Sequence, residues 1–382
     1  MKKSKLLLPL ISLFSILLSA CVPISSSETP SSSEEPSSGE PSVEPPSSTC
    51  DEDDMWCDVG DGGDSSVYVP PVVDMVADES EGYSFENVSL ETGSMAYEVF
   101  VRSFYDADGD GIGDFNGLKQ KLPYLASLGI NTLWLMPIHP SPTYHGYDVK
   151  DYYAVNPQFG SMNEFKSLLA DAHNLGMKII IDMVLNHSSK QHPWLEESYL
   201  DRANNNIKED SKADWYVWSD KDKSGYHSYR NAYYEGQFDA SMPDFNYDSP
   251  SFRKEVENII KFWANDIGVD GFRLDAVKYY YMNQTVKNRD ILTWFKQTAI
   301  QYNKDFFMVG ECWDSNETIE SYYDSECDSF FKFSTSLEGV GAGAIAPQIK
   351  RFISANGFGE EIEKREATIK EKNPNGYYSY FL

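Results

Sequence analysis

An α/β fold, a parallel (β/α)8 TIM barrel with a small domain inserted after its third strand, is what this 382-residue sequence predicts. Three observations lead there. From about residue 93 onward, short apolar runs of strand character alternate with helix-like runs, the pattern of a parallel sheet joined by crossover helices. Several strand-like runs stop in polar residues, as barrel strands do where their carboxyl ends open into one shared mouth. One interval, residues 188–248, is far too long for an ordinary strand-to-helix loop.

The chain opens with an export signal over residues 1–20: Lys2, Lys3 and Lys5, then the run "LLLPLISLFSILLSA", then small residues before Cys21. That run is short and abruptly ended for a membrane span. "LSAC" resembles a bacterial lipobox, which implies cleavage before Cys21, lipidation of its thiol, and an extracytoplasmic chain lipid-anchored to the cell membrane. Residues 21–92 begin as a Ser, Pro and Glu tether that cannot bury enough apolar surface to fold, and continue as an acidic segment. Cys50 and Cys57 in "CDEDDMWC" are expected to pair locally in an oxidising compartment, whereas spacing leaves open whether Cys312 and Cys327 do. With 60 acidic against 32 basic residues the net charge is −28, which excludes nucleic acid as a partner and suits cations or neutral ligands.

The strand candidates are "MAYEVFV" (95–101), "NTLWLMP" (131–137), "KIIIDMVLNH" (178–187), "VDGFRLDAV" (269–277) and "FFMVGECW" (306–313). Between them Leu118, Leu122, Leu125 and Leu128 recur at helical spacing, as do Phe252, Val256, Ile259, Ile260 and Trp263. The barrel is thus divided into 93–187 and 249–382, with the insert, rich in Trp, Tyr, Asp and Asn, between the two parts. Arg273 and Asp275 sit inside an apolar run, where charges are costly unless paired. Two residues apart on a strand, they share a face, and the arginine would favour the ionised aspartate. Asp275 and Glu311, at the ends of successive strands, meet the demand of a retaining glycosidase for two carboxyls about 5–5.5 Å apart. Apolar neighbours would raise Glu311 and suit it to act as the acid.

"DMVLNH" (182–187), "GFRLDAVKY" (271–279) and "GECW" (310–313), in this order, resemble the motifs of the α-amylase family of glycoside hydrolases, and "MPDFN" (242–246) resembles its additional motif. The resemblance runs from about Ser94 to Leu382. It implies Asp275 as nucleophile, Glu311 as general acid/base and Arg273 as the nucleophile's partner. His187 would bond the sugar before the cleavage point, Asp182 would fix strand geometry, and Lys278 would contact sugars beyond that point. In "YHGYD" (144–148), Tyr147 would stack on the reacting sugar with His145 beside it. The implied substrate is a starch-like α-glucan or maltooligosaccharide, cleaved at α-1,4 bonds with retention by a monomeric enzyme. The alternatives are an oligo-α-glucosidase, a transglycosylase such as a trehalose-forming enzyme, or a non-catalytic surface glucan-binding protein.

"DADGDGIGD" (106–114) alternates oxygen ligands at Asp106, Asp108 and Asp110, with the Ile112 carbonyl and Asp114 following. It resembles the first part of a calcium loop, and many members of the family's oligosaccharide-acting branch bind Ca2+ in this loop. A solvated acidic turn is the plainer reading of the same residues. Asn186 aligns with another calcium ligand of true α-amylases. Of Trp194, Trp215, Tyr216, Trp218, Tyr226, Tyr229, Tyr233 and Tyr234 in the insert, most are expected to pack and a few to line a glucan groove. The family's third carboxylate, after a histidine on the seventh strand, has no counterpart: "YYSYFL" reads as that strand stopping short of it. The barrel is therefore expected to be incomplete at its C-terminus, the chain to be a fragment, and hydrolysis by the 382 residues alone to be weak or absent.

Overall fold

A computed structural model of the chain describes residues 94–206, 208–332 and 355–380. The signal segment with Cys21, the tether and the Cys50–Cys57 pair lie outside the described residues. In chain order come β1 (Ala96–Val99), α1 (Phe115–Gln120), α2 (Leu122–Ser127), β2 (Thr132–Leu135), α3 (Met162–Asn174) and β3 (Lys178–Met183). The insert follows, with α4 (Pro193–Ala203), β4 (Trp218–Ser219), β5 (Tyr226–Tyr229) and β6 (Ala232–Glu235). Then come α5 (Pro250–Lys261), β7 (Gly271–Leu274), α6 (Thr285–Ile300), β8 (Phe307–Gly310), α7 (Asn316–Tyr322), β9 (Ser329–Phe331), α8 (Ala355–Lys372) and β10 (Tyr377–Ser379).

Seven strands form one sheet in the order β1-β2-β3-β7-β8-β9-β10, and every pairing is parallel. The sheet curls into part of a barrel, as expected of an incomplete (β/α)8 fold. β10 is the seventh strand, the role foreseen for "YYSYFL". The short strand β9 was not foreseen, because "DSFFKF" has no run long enough to show a period.

Inside the curl, Trp134, Ile180, Val309 and Phe331 form a small apolar cluster, with Trp134 stacked on Phe331 at 5.2 Å between ring centres. The larger core lies between the sheet and the helices. α3 begins with a full capping box, Ser161 with Glu164. α5 turns Phe252, Val256, Ile259 and Ile260 to the core, as their spacing predicts, and runs into a π-helical turn at Phe262–Ile267. That turn ends at Gly268 with φ 88°, a left-handed position that a side chain would strain.

The helical period at 118–128 is broken in two. Lys121 separates α1 from α2, whose first turn carries Pro123 without an N–H to continue the ladder, and Leu128 falls beyond the second helix, 49% exposed. The insert's three strands are antiparallel in the order β4-β6-β5. Trp215, Tyr216 and Tyr234 are buried there, and Trp194, Trp218 and Tyr229 pack against the core, so these six serve the fold. Cys312 and Cys327 are both buried free thiols.

Candidate active site

Register brings the charged residues together. β3 pairs with β7 so that Asp182 stands beside Arg273, and β7 pairs with β8 so that Arg273 stands beside Val309. All three side chains lie on the same face of their strands, toward the inside of the curl. Leu274 pairs with Gly310, which puts Asp275 and Glu311 at the same level just past the strand ends. Beyond β7 the backbone turns sharply: Ala276 has φ 52°, and its N–H donates to Glu311 Oε2 at 3.2 Å. A non-glycine residue in this region is strained, and its position between two candidate catalytic carboxyls is where such strain is usually found.

Arg273 is buried and holds three carboxylates. Nη1 donates to Asp275 Oδ1 at 2.7 Å and to Asp182 Oδ1 and Oδ2 at 2.9 and 3.1 Å, while Nη2 pairs with Glu311 Oε1 at 3.0 Å. Its guanidinium also lies 5.3 Å from the Trp134 ring centre and 5.7 Å from that of Tyr147. Three carboxylates around one cation leave net negative charge in a poorly solvated place. Burial pushes Asp182 up to about 7, against the pull of Arg273, and the neighbouring Asp275 and Glu311 push it further. Burial likewise raises Glu311 above the ordinary glutamate range; Arg273 opposes this and Asp275 adds to it. A raised carboxyl retains a proton to give away.

Tyr147 donates from its hydroxyl to Asp182 Oδ2 at 3.1 Å and stacks on His145 at 6.0 Å, so both lie against the charged cluster. His187 is buried, and burial holds it down to about 4, so it is neutral near pH 7. Its Nε2 bonds the Tyr147 carbonyl at 3.0 Å and must therefore carry the hydrogen; Nδ1 is left to accept from Asn186 Nδ2 at 3.3 Å. Asn186 also donates to Asp244 Oδ1 at 3.2 Å, which ties the end of β3 to the "MPDFN" motif. Lys278 lies at the mouth, its ammonium bonded to Asp314 Oδ2 at 2.6 Å and to the Trp313 carbonyl at 2.8 Å.

Phe238 is an aromatic at the mouth that the sequence reading did not single out. It is 47% exposed, with ring centres 5.5 Å from His187 and 4.9 Å from Tyr279. Its only sequence signal was an aromatic residue just before "MPDFN", on the insert's return to the barrel.

In the acidic loop Asp106, Asp108 and Asp114 each turn one carboxylate oxygen inward, all within 4.8 Å of one another. Gly109 and Gly111, at φ 84° and 92°, allow the tight turn, and their N–H groups donate to Asp106 at 2.6 and 2.7 Å. Asp114 accepts from Gly117 N at 2.7 Å as the cap of α1. Asp110 stands apart from the converging three, accepting from Ile112 N at 2.8 Å.

A family model described as "Alpha amylase, catalytic domain" matches residues 98–376. Alpha-amylase 3 of Dictyoglomus thermophilum is 45% identical over 235 residues, which cover 59% of this chain and 45% of that protein. Trehalose synthase of Thermus thermophilus is 44% identical over 206 residues, 49% of this chain and 20% of that one. Among solved structures, Eubacterium rectale Amy13B superposes with a TM-score of 0.67 at 39% identity, over 74% of this chain and 56% of its own. The chain thus spans less than half the length of these two curated relatives.

Proposed function

This chain belongs to the alpha-amylase family, and on that premise we propose that its site cleaves α-1,4-glucosidic bonds of maltooligosaccharides and starch-like glucans with retention of configuration. The observation that carries the reading is the single guanidinium of Arg273 gripping both Asp275 and Glu311, at 2.7 and 3.0 Å. The two carboxyls are held at one level and on one face, in environments that differ. Asp275 attacks the anomeric carbon while Glu311 gives its proton to the departing glycosidic oxygen. Glu311, now a carboxylate, takes a proton from water, whose oxygen displaces Asp275 and regenerates the site. Arg273 and Asp182 hold the nucleophile, and Tyr147 with His145 offers an aromatic wall for the reacting sugar.

A test that does not depend on turnover uses α-maltotriosyl fluoride, whose leaving group needs no proton, with the Glu311→Gln variant. Mass spectrometry is expected to find one maltotriosyl unit on Asp275. Labelling elsewhere, or none, would overturn the mechanism.

The transfer reading, supported by the likeness to a trehalose synthase, separates on maltoheptaose: internal fragments indicate an amylase, stepwise glucose a glucosidase, and longer or rearranged sugars a transglycosylase. The convergence of Asp106, Asp108 and Asp114 fits a hard cation, and we read Ca2+ as its occupant, tying the loop after β1 to the start of α1. We read the signal segment and the lipobox resemblance as an address outside the cytoplasm, with a lipid anchor on Cys21.

A further inference from the structure

Lys278 and Asp314 occupy matching places in two neighbouring loops. Lys278 stands three residues beyond Asp275 in the loop after β7, and Asp314 stands three residues beyond Glu311 in the loop after β8. The ammonium joins the loops twice, through Asp314 Oδ2 at 2.6 Å and the Trp313 carbonyl at 2.8 Å. Each anchor is itself fixed. Asn288 Nδ2 donates to the Lys278 carbonyl at 2.7 Å, and Asp314 Oδ1 accepts from Ser315 N at 2.7 Å, where Ser315 caps α7. The pair is only partly exposed, with side chains 22% and 33% accessible.

We propose that Asp314 is a positioning residue: through Lys278 it latches the loop carrying the acid to the loop carrying the nucleophile and so sets the distance between the two carboxyls. The inference rests on the glycosidase reading above. Retention demands a separation of about 5–5.5 Å, and strand pairing has ended one residue before each carboxyl. The Arg273 bond and the burial of Asp275 secure the nucleophile on the β7 side. Glu311 is held as well, by Arg273 Nη2 at 3.0 Å, Ala276 N at 3.2 Å and its own N–H to the Leu274 carbonyl at 2.9 Å, but its side chain is more exposed than that of Asp275. Beyond it the two loops are joined through Val277 N to the Glu311 carbonyl at 3.2 Å and, three residues on, the latch. Loss of the latch therefore displaces the acid more than the nucleophile. The latch also occupies two of the three donors of Lys278, so in this state the lysine works as a strut between loops.

The test compares the parent chain, Asp314→Asn and Asp314→Glu on two substrates, with enzyme in excess over substrate so that weak cleavage is still read. Maltoheptaose needs the proton from Glu311; α-maltotriosyl fluoride does not. Asp314→Asn is expected to lower the single-turnover rate on maltoheptaose by about tenfold, with KM and the initial rate of fluoride release from α-maltotriosyl fluoride changed less than about twofold. Asp314→Glu, which keeps the charge, is expected to recover most of the loss. Equal losses on both substrates, or none on either, would overturn the latch, and a thermal melt distinguishes an unfolded variant, for which Asp314→Glu carries the comparison. If Asp275 is not labelled even in the Glu311→Gln background, where the intermediate is trapped, the glycosidase reading falls and the latch with it; if it is labelled there and Asp314→Asn behaves like the parent on both substrates, the latch alone falls.

Discussion

Arg273 grips Asp182 through both carboxylate oxygens, at 2.9 and 3.1 Å, from a neighbouring strand 91 residues away in sequence. The same nitrogen also holds Asp275, so the place of the proposed nucleophile depends on Asp182 as well. Replacing Arg273 by Leu leaves three acidic groups without their cation and is expected to cost about 3 kcal/mol of stability, read by urea unfolding. Arg273→Lys keeps a charge but loses the planar fork, and should retain more of the stability while kcat falls about 100-fold. Equal stability losses in the two variants would mean that the site needs no counter-charge.

The raised position of Glu311 comes from burial, and the adjacent Asp275 pushes in the same direction. Removing the Asp275 charge should therefore let Glu311 ionise at lower pH. Carbon-13 NMR of labelled glutamate is expected to show Glu311 titrating lower in Asp275→Asn than in the parent; an unchanged midpoint would show that the two carboxyls do not sense each other.

His139 is fully buried against Trp263 and Tyr152, neither ring nitrogen has a hydrogen-bond partner among the described residues, and burial pushes it down to about 3. In the unfolded chain it titrates near its ordinary 6.5. Between these values the unfolded state binds the extra proton, so stability is complete above about pH 6.5 and declines as pH falls toward 3. At pH 5 the loss from this one group is about 2 kcal/mol. His139→Leu should flatten that part of the pH dependence in urea unfolding, and a slope as steep as the parent's would assign it to other groups.

Phe238 reaches over the mouth from the insert and touches His187 and Tyr279 without being buried. Phe238→Ala is expected to weaken maltoheptaose binding by about fivefold, the worth of one aromatic contact of roughly 1 kcal/mol, while the melting temperature changes little. Isothermal titration would read it, and an unaltered Kd would reduce Phe238 to packing.

Calcium at the loop of Asp106, Asp108 and Asp114 would stabilise the folded chain by about 2.7 kcal/mol at one hundred times its Kd. Melting should therefore rise with added Ca2+ and fall on chelation, and Asp108→Asn should abolish most of the response. A melting point indifferent to both treatments would make the loop a solvated turn.

The sequence by itself determined the class of fold and the five strands β1, β2, β3, β7 and β8, and it singled out Asp275, Glu311 and Arg273 as candidates. Each of these is written locally, in the two-residue repeat of a strand, the 3.6-residue repeat of a helix and the polar residue where an apolar run stops. It also told that most of the insert's aromatic residues would be packing. What only the tertiary structure decided is everything that depends on register between distant strands: Asp182 as the second partner of Arg273, Phe238 beside His187, and the engagement of Lys278 by Asp314 rather than by solvent. Local periodicity states which face a side chain takes, but which residue stands opposite is chosen by packing of the whole sheet, since a shift of one residue would turn every charge at the mouth into the apolar core.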